Sequence, residues 1–170
     1  MICKTRTDPI AYFALQANLS PAKAAELWPS LEELARNASI DYLVSPAVNF
    51  AEYDPIVWLH DFFEECQGCK VDAVAFHTYT CHGKYLKDHI ELYKVFGKPL
   101  WLTEFACSEA ASPERLPAEG QMAFMREAIP LLEQEKCLGV FGTVEGLGFK
   151  LFGVQDFGTR LMSRGGCFLN

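Results

Sequence analysis

The most informative segment of this chain is Lys98–Phe105, KPLWLTEF. Gly97 and Pro99 stop the helical pattern before it, and the apolar run that follows predicts a buried strand over Leu100–Thr103. The strand delivers Glu104 at its carboxyl end, where burial of an unpaired carboxylate would be costly. Catalytic side chains of parallel α/β proteins lie at the carboxyl ends of strands. Glu104 is therefore the leading candidate for chemistry, with a helix cap or an ion pair as the alternative.

Helical and strand patterns alternate at intervals of about 30 residues, which predicts a parallel sheet built from strand–helix–strand units. Apolar stripes at helical spacing should face the core of each unit. Helices are predicted from Ser20-Pro21 (stripe Ala24, Leu27, Leu31, Leu34), from Asp54-Pro55 (stripe Leu59, Phe62, Phe63, Cys66), over Lys84–Phe96 (stripe Leu86, Ile90, Tyr93) and around Met122, Met125, Ile129 and Leu132. The other strands are predicted over Tyr42–Val48, Val71–Phe76 and Leu138–Val144. Pro29 should kink or split the first helix.

Composition excludes several classes of partner. The 170 residues carry 22 acidic and 15 basic side chains, a net charge of -7, which disfavours nucleic acid and anionic membranes. No apolar stretch approaches the length of a membrane span, and the N-terminus lacks the apolar core of a signal peptide. The glycine patterns that bind nucleotides are also absent, so no cofactor is expected.

The seven cysteines leave the redox compartment open. The Cys66 and Cys69 pair lacks a second close pair at zinc-finger spacing, so a local disulfide or two thiols are favoured over zinc and no metal site is expected. Cys81 and Cys107 follow consecutive predicted strands on the same side of the sheet. A bridge between those two loops is therefore an option.

Polar residues end three neighbouring predicted strands. Because side chains alternate along a strand, His77 and Tyr79 share one face, next to the place where Glu104 should emerge. Such a pair can hold a carboxylate ionised and bind substrate hydroxyl groups. Asn49 ends the preceding strand in the equivalent place and is a weaker third candidate. Trp101 points to the opposite face and is predicted to pack in the core.

Several motifs in order resemble one known group, the glycosyl hydrolase catalytic core of the alkali-sensitive-linkage type, glycoside hydrolase family 128. They cover about Gln16 to Val140 and are QANLSP at Gln16–Pro21, LVSPA at Leu43–Ala47, VDAVAFHTY at Val71–Tyr79 and WLTEFAC at Trp101–Cys107. The resemblance implies a (β/α)8 TIM barrel that cleaves β-1,3-glucan with retention, using two glutamates. Glu104 matches the family's nucleophile.

The sequence departs from the family pattern at its start. The family's second glutamate lies in an Asn-Glu-Pro motif just before the Gln-Ala-Asn stretch, and Thr7-Asp8-Pro9 is only a faint echo of it. We therefore expect a divergent segment at 1–15, a partial catalytic domain at 16–144 and an atypical Gly/Phe-rich tail at 145–170. The fold expected is α/β, the C-terminal half of a barrel with about four strand–helix units. Its exposed edges favour self-association.

Three functions compete on this sequence. The first is a truncated glycosidase whose single carboxylate leaves catalysis by this chain alone impaired, because general acid catalysis is missing. The second is a non-catalytic β-glucan or cell-wall binding or remnant protein. The third, a small doubly wound domain unrelated to glycans, requires the family resemblance to be chance. Localisation stays unknown, since the family is often extracellular or cell-wall associated while this N-terminus shows no signal peptide.

Overall fold

The described part of the chain divides into two compact units. The computed structural model describes residues 19–40, 42–48, 54–107, 118–135 and 138–140. One unit lies within Met1–Ala75 and the other within Phe76–Asn170. In the described ranges no helix is long and apolar enough to span a bilayer. The expected segments 1–15 and 145–170 lie outside the described residues.

Both helices of the first unit begin at the predicted caps. Helix α1 (Pro21–Asn37) starts where the Ser20 side chain accepts a hydrogen bond from the Lys23 N–H at 3.2 Å. Helix α2 (Pro55–Glu65) starts where the Asp54 carboxylate accepts from the Ile56 N–H at 2.9 Å. Pro29 does not split α1, which continues through it as one helix.

The buried stripe of α1 differs from the predicted one. Leu34 is 61% exposed and Leu27 is 36% exposed, so the predicted stripe was wrong at these two leucines and is confirmed at Ala24. The buried residues are Ala24, Ala25, Trp28 and Ala35. Trp28 packs edge-on against Phe62 of α2, with ring centroids 5.2 Å apart. Its indole N–H also donates to the Lys70 carbonyl at 3.1 Å. Small alanines beside one large ring therefore form the face that packs.

The predicted strand over Tyr42–Val48 forms only isolated bridges. Val44 pairs in parallel with Ala73, and the Ser45 N–H donates to the Ala73 carbonyl at 2.9 Å. Pro46 has no N–H to continue such a ladder. The buried Ser45 hydroxyl compensates, since its oxygen accepts from the Ala75 N–H at 3.0 Å.

Strands and helices alternate through the second unit. Strand β1 (Val74–Tyr79) begins in the first unit and is followed by helix α3 (Gly83–Tyr93), a 3-10 turn (Lys94–Phe96), strand β2 (Leu100–Ala106), helix α4 (Ala118–Gln134) and strand β3 (Leu138–Val140). The three strands form one sheet in the order β1-β2-β3, and β2 pairs in parallel with β3. Strand β1 lies three residues later than predicted, and β2 runs three residues further, so Glu104 lies inside β2 rather than after it. Residues 141–144 of the predicted last strand lie outside the described residues.

Helix α3 matches its predicted core, whereas α4 does not. Leu86, Ile90 and Tyr93 are buried, and Gly97 ends the turn after α3 in the left-handed conformation, with φ of 61°. In α4 the buried residues are Phe124, Ala128 and Leu132, while Met122 is 51% exposed. The predicted methionine stripe was therefore wrong except at Leu132.

The Cys66 and Cys69 pair forms a local disulfide, with its Cα atoms 5.4 Å apart. Of the two options favoured from the sequence, a local disulfide or two thiols, the structure has the disulfide. In the described part of the chain no group of three or more His, Cys, Asp and Glu side chains could hold a metal ion.

Candidate active site

Strand β2 places Glu104 on the face that its neighbours predict. Leu100 and Leu102 are buried on the same face, while Phe105 lies on the opposite face and packs against Phe124 of α4 at 6.2 Å between ring centroids. Trp101, which shares the face of Phe105, is half-buried. The glutamate therefore emerges from the apolar face of the strand, two residues before the strand ends.

Strand β1 divides its side chains in the same way. Phe76 stacks on Tyr93 of α3 with ring centroids 4.5 Å apart, and the Thr78 hydroxyl oxygen lies 2.6 Å from Nδ1 of His89 on the same helix. The residues that alternate with them, His77 and Tyr79, point to the other side of the sheet. This alternation delivers both side chains to Glu104, as the sequence predicts.

The three side chains meet at one carboxylate oxygen. The Tyr79 hydroxyl donates a hydrogen bond to Glu104 Oε2, and His77 Nδ1 lies 3.5 Å from the same oxygen. The side chain of Glu104 is only 12% exposed and that of His77 only 6%. Tyr79 is 39% exposed, so this end of the group is open to solvent and the other end is closed.

Burial and charge act in opposite directions on His77. Burial lowers its pKa below the ordinary value, and the nearby Glu104 carboxylate offsets only part of that effect. The imidazole is therefore neutral at neutral pH. A neutral ring beside a carboxylate can offer an N–H group without carrying a second full charge into the buried site.

The loops that leave β1 and β2 are joined beside the carboxylate. The Thr80 N–H donates to the Ala106 carbonyl at 3.0 Å, and the next pair, Cys81 and Cys107, forms a disulfide with Cα atoms 4.1 Å apart. The bridge considered from the sequence is thus present. It ties the strand that carries Glu104 to the strand that carries His77 and Tyr79.

Sequence reasoning missed one residue of this assembly. Gln121 of α4 accepts from the Cys107 N–H through Oε1 at 3.0 Å, and its side-chain amide donates to the Cys107 carbonyl. Nothing in the spacing of α4 distinguishes this glutamine from the other polar residues of the helix. Asn49, the third predicted contact, lies outside the described residues.

A nearly buried carboxylate held by a hydroxyl donor is suited to nucleophilic attack. The hydrogen bond fixes one oxygen, and low exposure strips away water that would compete with a substrate. Tyr79, one of the residues predicted to bind substrate, contacts both the carboxylate and solvent.

Comparison with known proteins agrees with this geometry. Residues 9–141 match the glycosyl hydrolase catalytic core family. Over 78 residues, 46% of this chain and 14% of its counterpart, the chain is 40% identical to alkali-sensitive linkage protein 1 of Schizosaccharomyces pombe.

Solved structures give the same family. A family 128, subgroup II, endo-β-1,3-glucanase from Sorangium cellulosum is 40% identical, with a TM-score of 0.69 over 82% of this chain and 57% of that one. A subgroup I endo-β-1,3-glucanase from Amycolatopsis mediterranei, solved with laminaritriose, is 26% identical, with a TM-score of 0.61 over 74% and 55%. This chain thus spans little more than half of these enzymes. With most of its length matched, the chain belongs to the glycosyl hydrolase catalytic core family, and its core is similar to that of family 128 β-1,3-glucanases.

Proposed function

We propose that this chain forms the nucleophile side of a retaining β-1,3-glucan hydrolase site, with Glu104 as the nucleophile. The observation that carries the proposal is the nearly buried Glu104 carboxylate, which accepts a hydrogen bond from the Tyr79 hydroxyl and lies beside a neutral His77. Family membership supports glycoside chemistry, and the relative solved with laminaritriose supports a β-1,3-linked glucan as the substrate. His77, Tyr79 and Asn49 are assigned to substrate binding.

The same proposal includes the fold. We assign the described strands and helices to the second half of a (β/α)8 barrel. The parallel pairing of β2 with β3 and the helices between successive strands support this assignment. So does the match to little more than half the length of the related glucanases.

In the proposed reaction a Glu104 oxygen attacks the anomeric carbon of the glucan. The bond from that carbon to the leaving oxygen breaks, its electron pair stays on the leaving oxygen, and a carboxylic acid protonates that oxygen. Water then attacks the anomeric carbon and gives its proton to the conjugate base of that acid, while the bond to the Glu104 oxygen breaks and the carboxylate is restored with net retention. Both observed contacts are made by Oε2, so Oε1 is the oxygen assigned to attack.

The test measures the role of the nucleophile separately from that of the general acid. An aryl β-laminaribioside with a dinitrophenol leaving group needs little protonation, so it reports glycosylation even without an efficient general acid. We expect a burst of phenol equimolar with the protein and no burst from Glu104→Gln. Equal phenol release by the two proteins would refute Glu104 as nucleophile. Binding of laminarin by the wild type with no burst would instead identify a non-catalytic glucan-binding protein.

A further inference from the structure

We infer that Gln121 is a positioning residue for Glu104, an assignment that rests on the proposed nucleophile role. Gln121 lies in the first turn of α4 and touches neither Glu104 nor its partners in the contacts described above. It acts on the backbone of Cys107, three residues after Glu104. The main chain between them is the last part of β2.

The two hydrogen bonds of Gln121 fix the peptide groups on both sides of Cys107. One bond satisfies the N–H and the other the carbonyl, so the glutamine amide takes the place of a neighbouring strand at this point. Cys107 is 3% exposed, so loss of the glutamine amide would leave a nearly buried N–H and carbonyl without these partners. This two-point contact therefore fixes the direction in which β2 leaves the sheet.

The disulfide alone does not fix that direction. Cys81–Cys107 limits the distance between the two loops, and the Thr80 N–H holds the Ala106 carbonyl, but neither contact holds the peptide group after Cys107. Gln121 supplies the missing restraint from α4, and α4 is held against β2 by the contact of Phe124 with Phe105, the residue after Glu104. Helix α4 thus sets the backbone on the carboxyl side of the glutamate at two points.

The test compares Gln121→Met, which keeps side-chain length and removes both hydrogen bonds, with Leu132→Val. Leu132 is fully buried further along α4, so its truncation lowers stability without touching Cys107. The readouts are the rate constant of the phenol burst, the affinity for laminari-oligosaccharides and the carbon NMR shift of the Glu104 carboxyl, assigned with Glu104→Gln.

For Gln121→Met we expect the burst to slow by about 100-fold, because small misplacements of a reacting group have effects of this size. Oligosaccharide affinity should change less than about threefold, because the contacts that bind the substrate before reaction are kept. The Glu104 carboxyl shift should move in Gln121→Met and stay at the wild-type value in Leu132→Val. An unmoved shift in Gln121→Met, or equal burst losses in the two variants, would overturn the positioning role.

Gln121→Glu provides a graded second variant if Gln121→Met does not fold. Its ionised carboxylate still accepts from the Cys107 N–H but cannot donate to the carbonyl, and protonation near pH 4.3, about the ordinary value for glutamate, restores the donor. In this variant the carbon NMR shift of the Glu104 carboxyl should approach the wild-type shift at the same pH as the pH falls. A difference between the two proteins that stays constant with pH would contradict the inference. Absence of a wild-type burst would refute the proposed function, while the NMR shifts would still decide the role of Gln121.

Discussion

A carboxylate that is 12% exposed needs polar partners, because burial without them costs several kcal/mol. Tyr79 provides a hydroxyl donor to Glu104, and His77 provides a polar ring that burial keeps neutral. The site thus keeps its negative charge on one side chain. A charged histidine in this position would pair with Glu104 and weaken it as a nucleophile.

Replacement of Tyr79 by phenylalanine tests the hydrogen bond to Glu104. Hydrogen bonds to charged groups contribute about 1.5–3 kcal/mol, so we expect the burst rate to fall by about 10- to 100-fold. The melting temperature should fall as well, because the nearly buried Glu104 carboxylate loses this donor. A burst at the wild-type rate would show that the hydroxyl does not serve the nucleophile. Tyr85→Phe, on an exposed tyrosine of α3, is the matched control.

Replacement of Glu104 by glutamine tests whether the residue is there for chemistry or for stability. Glutamine removes a nearly buried charge and keeps an oxygen that can accept from Tyr79. We expect the melting temperature to stay or rise, with Glu119→Gln on the exposed side of α4 as the control. A decrease in melting temperature beyond about 4 °C, about 1 kcal/mol for a chain of this size, would show instead that Glu104 serves stability, as a helix cap or an ion pair would.

The lowered pKa of His77 predicts how stability depends on pH. Below about pH 6.5 the unfolded chain binds a proton that the folded chain does not, so stability is lost as the pH falls toward the lowered pKa. For one group the slope is at most about 1.4 kcal/mol per pH unit. Denaturant unfolding of His77→Gln should show a shallower slope between neutral and mildly acidic pH.

His60→Gln, at an exposed position of α2, is the control. His89, whose pKa burial also lowers, keeps part of the slope in every variant. A slope in His77→Gln as steep as that of wild type would contradict the assignment of His77 as a neutral, buried ring.

The direction in which side chains face could be predicted better on strands β1 and β2 than on helices α1 and α4. Alternation along β1 and β2 has only two phases, and the polar residues His77, Tyr79 and Glu104 select one of them. Helix α1 carries two apolar stripes with the same period, one of leucines and one of alanines with Trp28. Periodicity cannot choose between them, because the choice depends on which surface fits the neighbouring ring of Phe62. The contact of Gln121 with Cys107 is a tertiary hydrogen bond without a local pattern.

In the segment before β1, the Ser45 side chain accepts a backbone hydrogen bond that a strand carbonyl would otherwise accept. The fully buried Ser45 hydroxyl accepts from the Ala75 N–H and donates to the Pro46 carbonyl. In Ser45→Ala the Ala75 N–H loses this acceptor, so we expect a loss of about 1–3 kcal/mol of unfolding free energy. Ser30→Ala on the exposed side of α1 is the control, and equal unfolding curves for both variants would contradict this role.

At the scale of the whole molecule, two disulfides constrain the unfolded chain to different extents. Cys81–Cys107 closes a separation of 26 residues and Cys66–Cys69 one of three. Chain entropy predicts about 3.5 kcal/mol of stabilisation from the first and about 1.6 kcal/mol from the second. Denaturant unfolding should therefore show a larger loss for the double variant Cys81→Ser/Cys107→Ser than for Cys66→Ser/Cys69→Ser. The reverse order would show that native packing at the second pair outweighs loop closure.

The family match covers the whole described chain, and the proposed reaction depends on a single bond between Glu104 and a sugar. A deoxyfluoro β-laminaribioside with a dinitrophenol leaving group slows the second step and lets the glycosyl ester accumulate. Peptide mass spectrometry of the trapped protein should find one added disaccharide on the peptide that contains Glu104. A disaccharide on any other residue, or phenol release with no adduct on Glu104, would contradict Glu104 as the nucleophile.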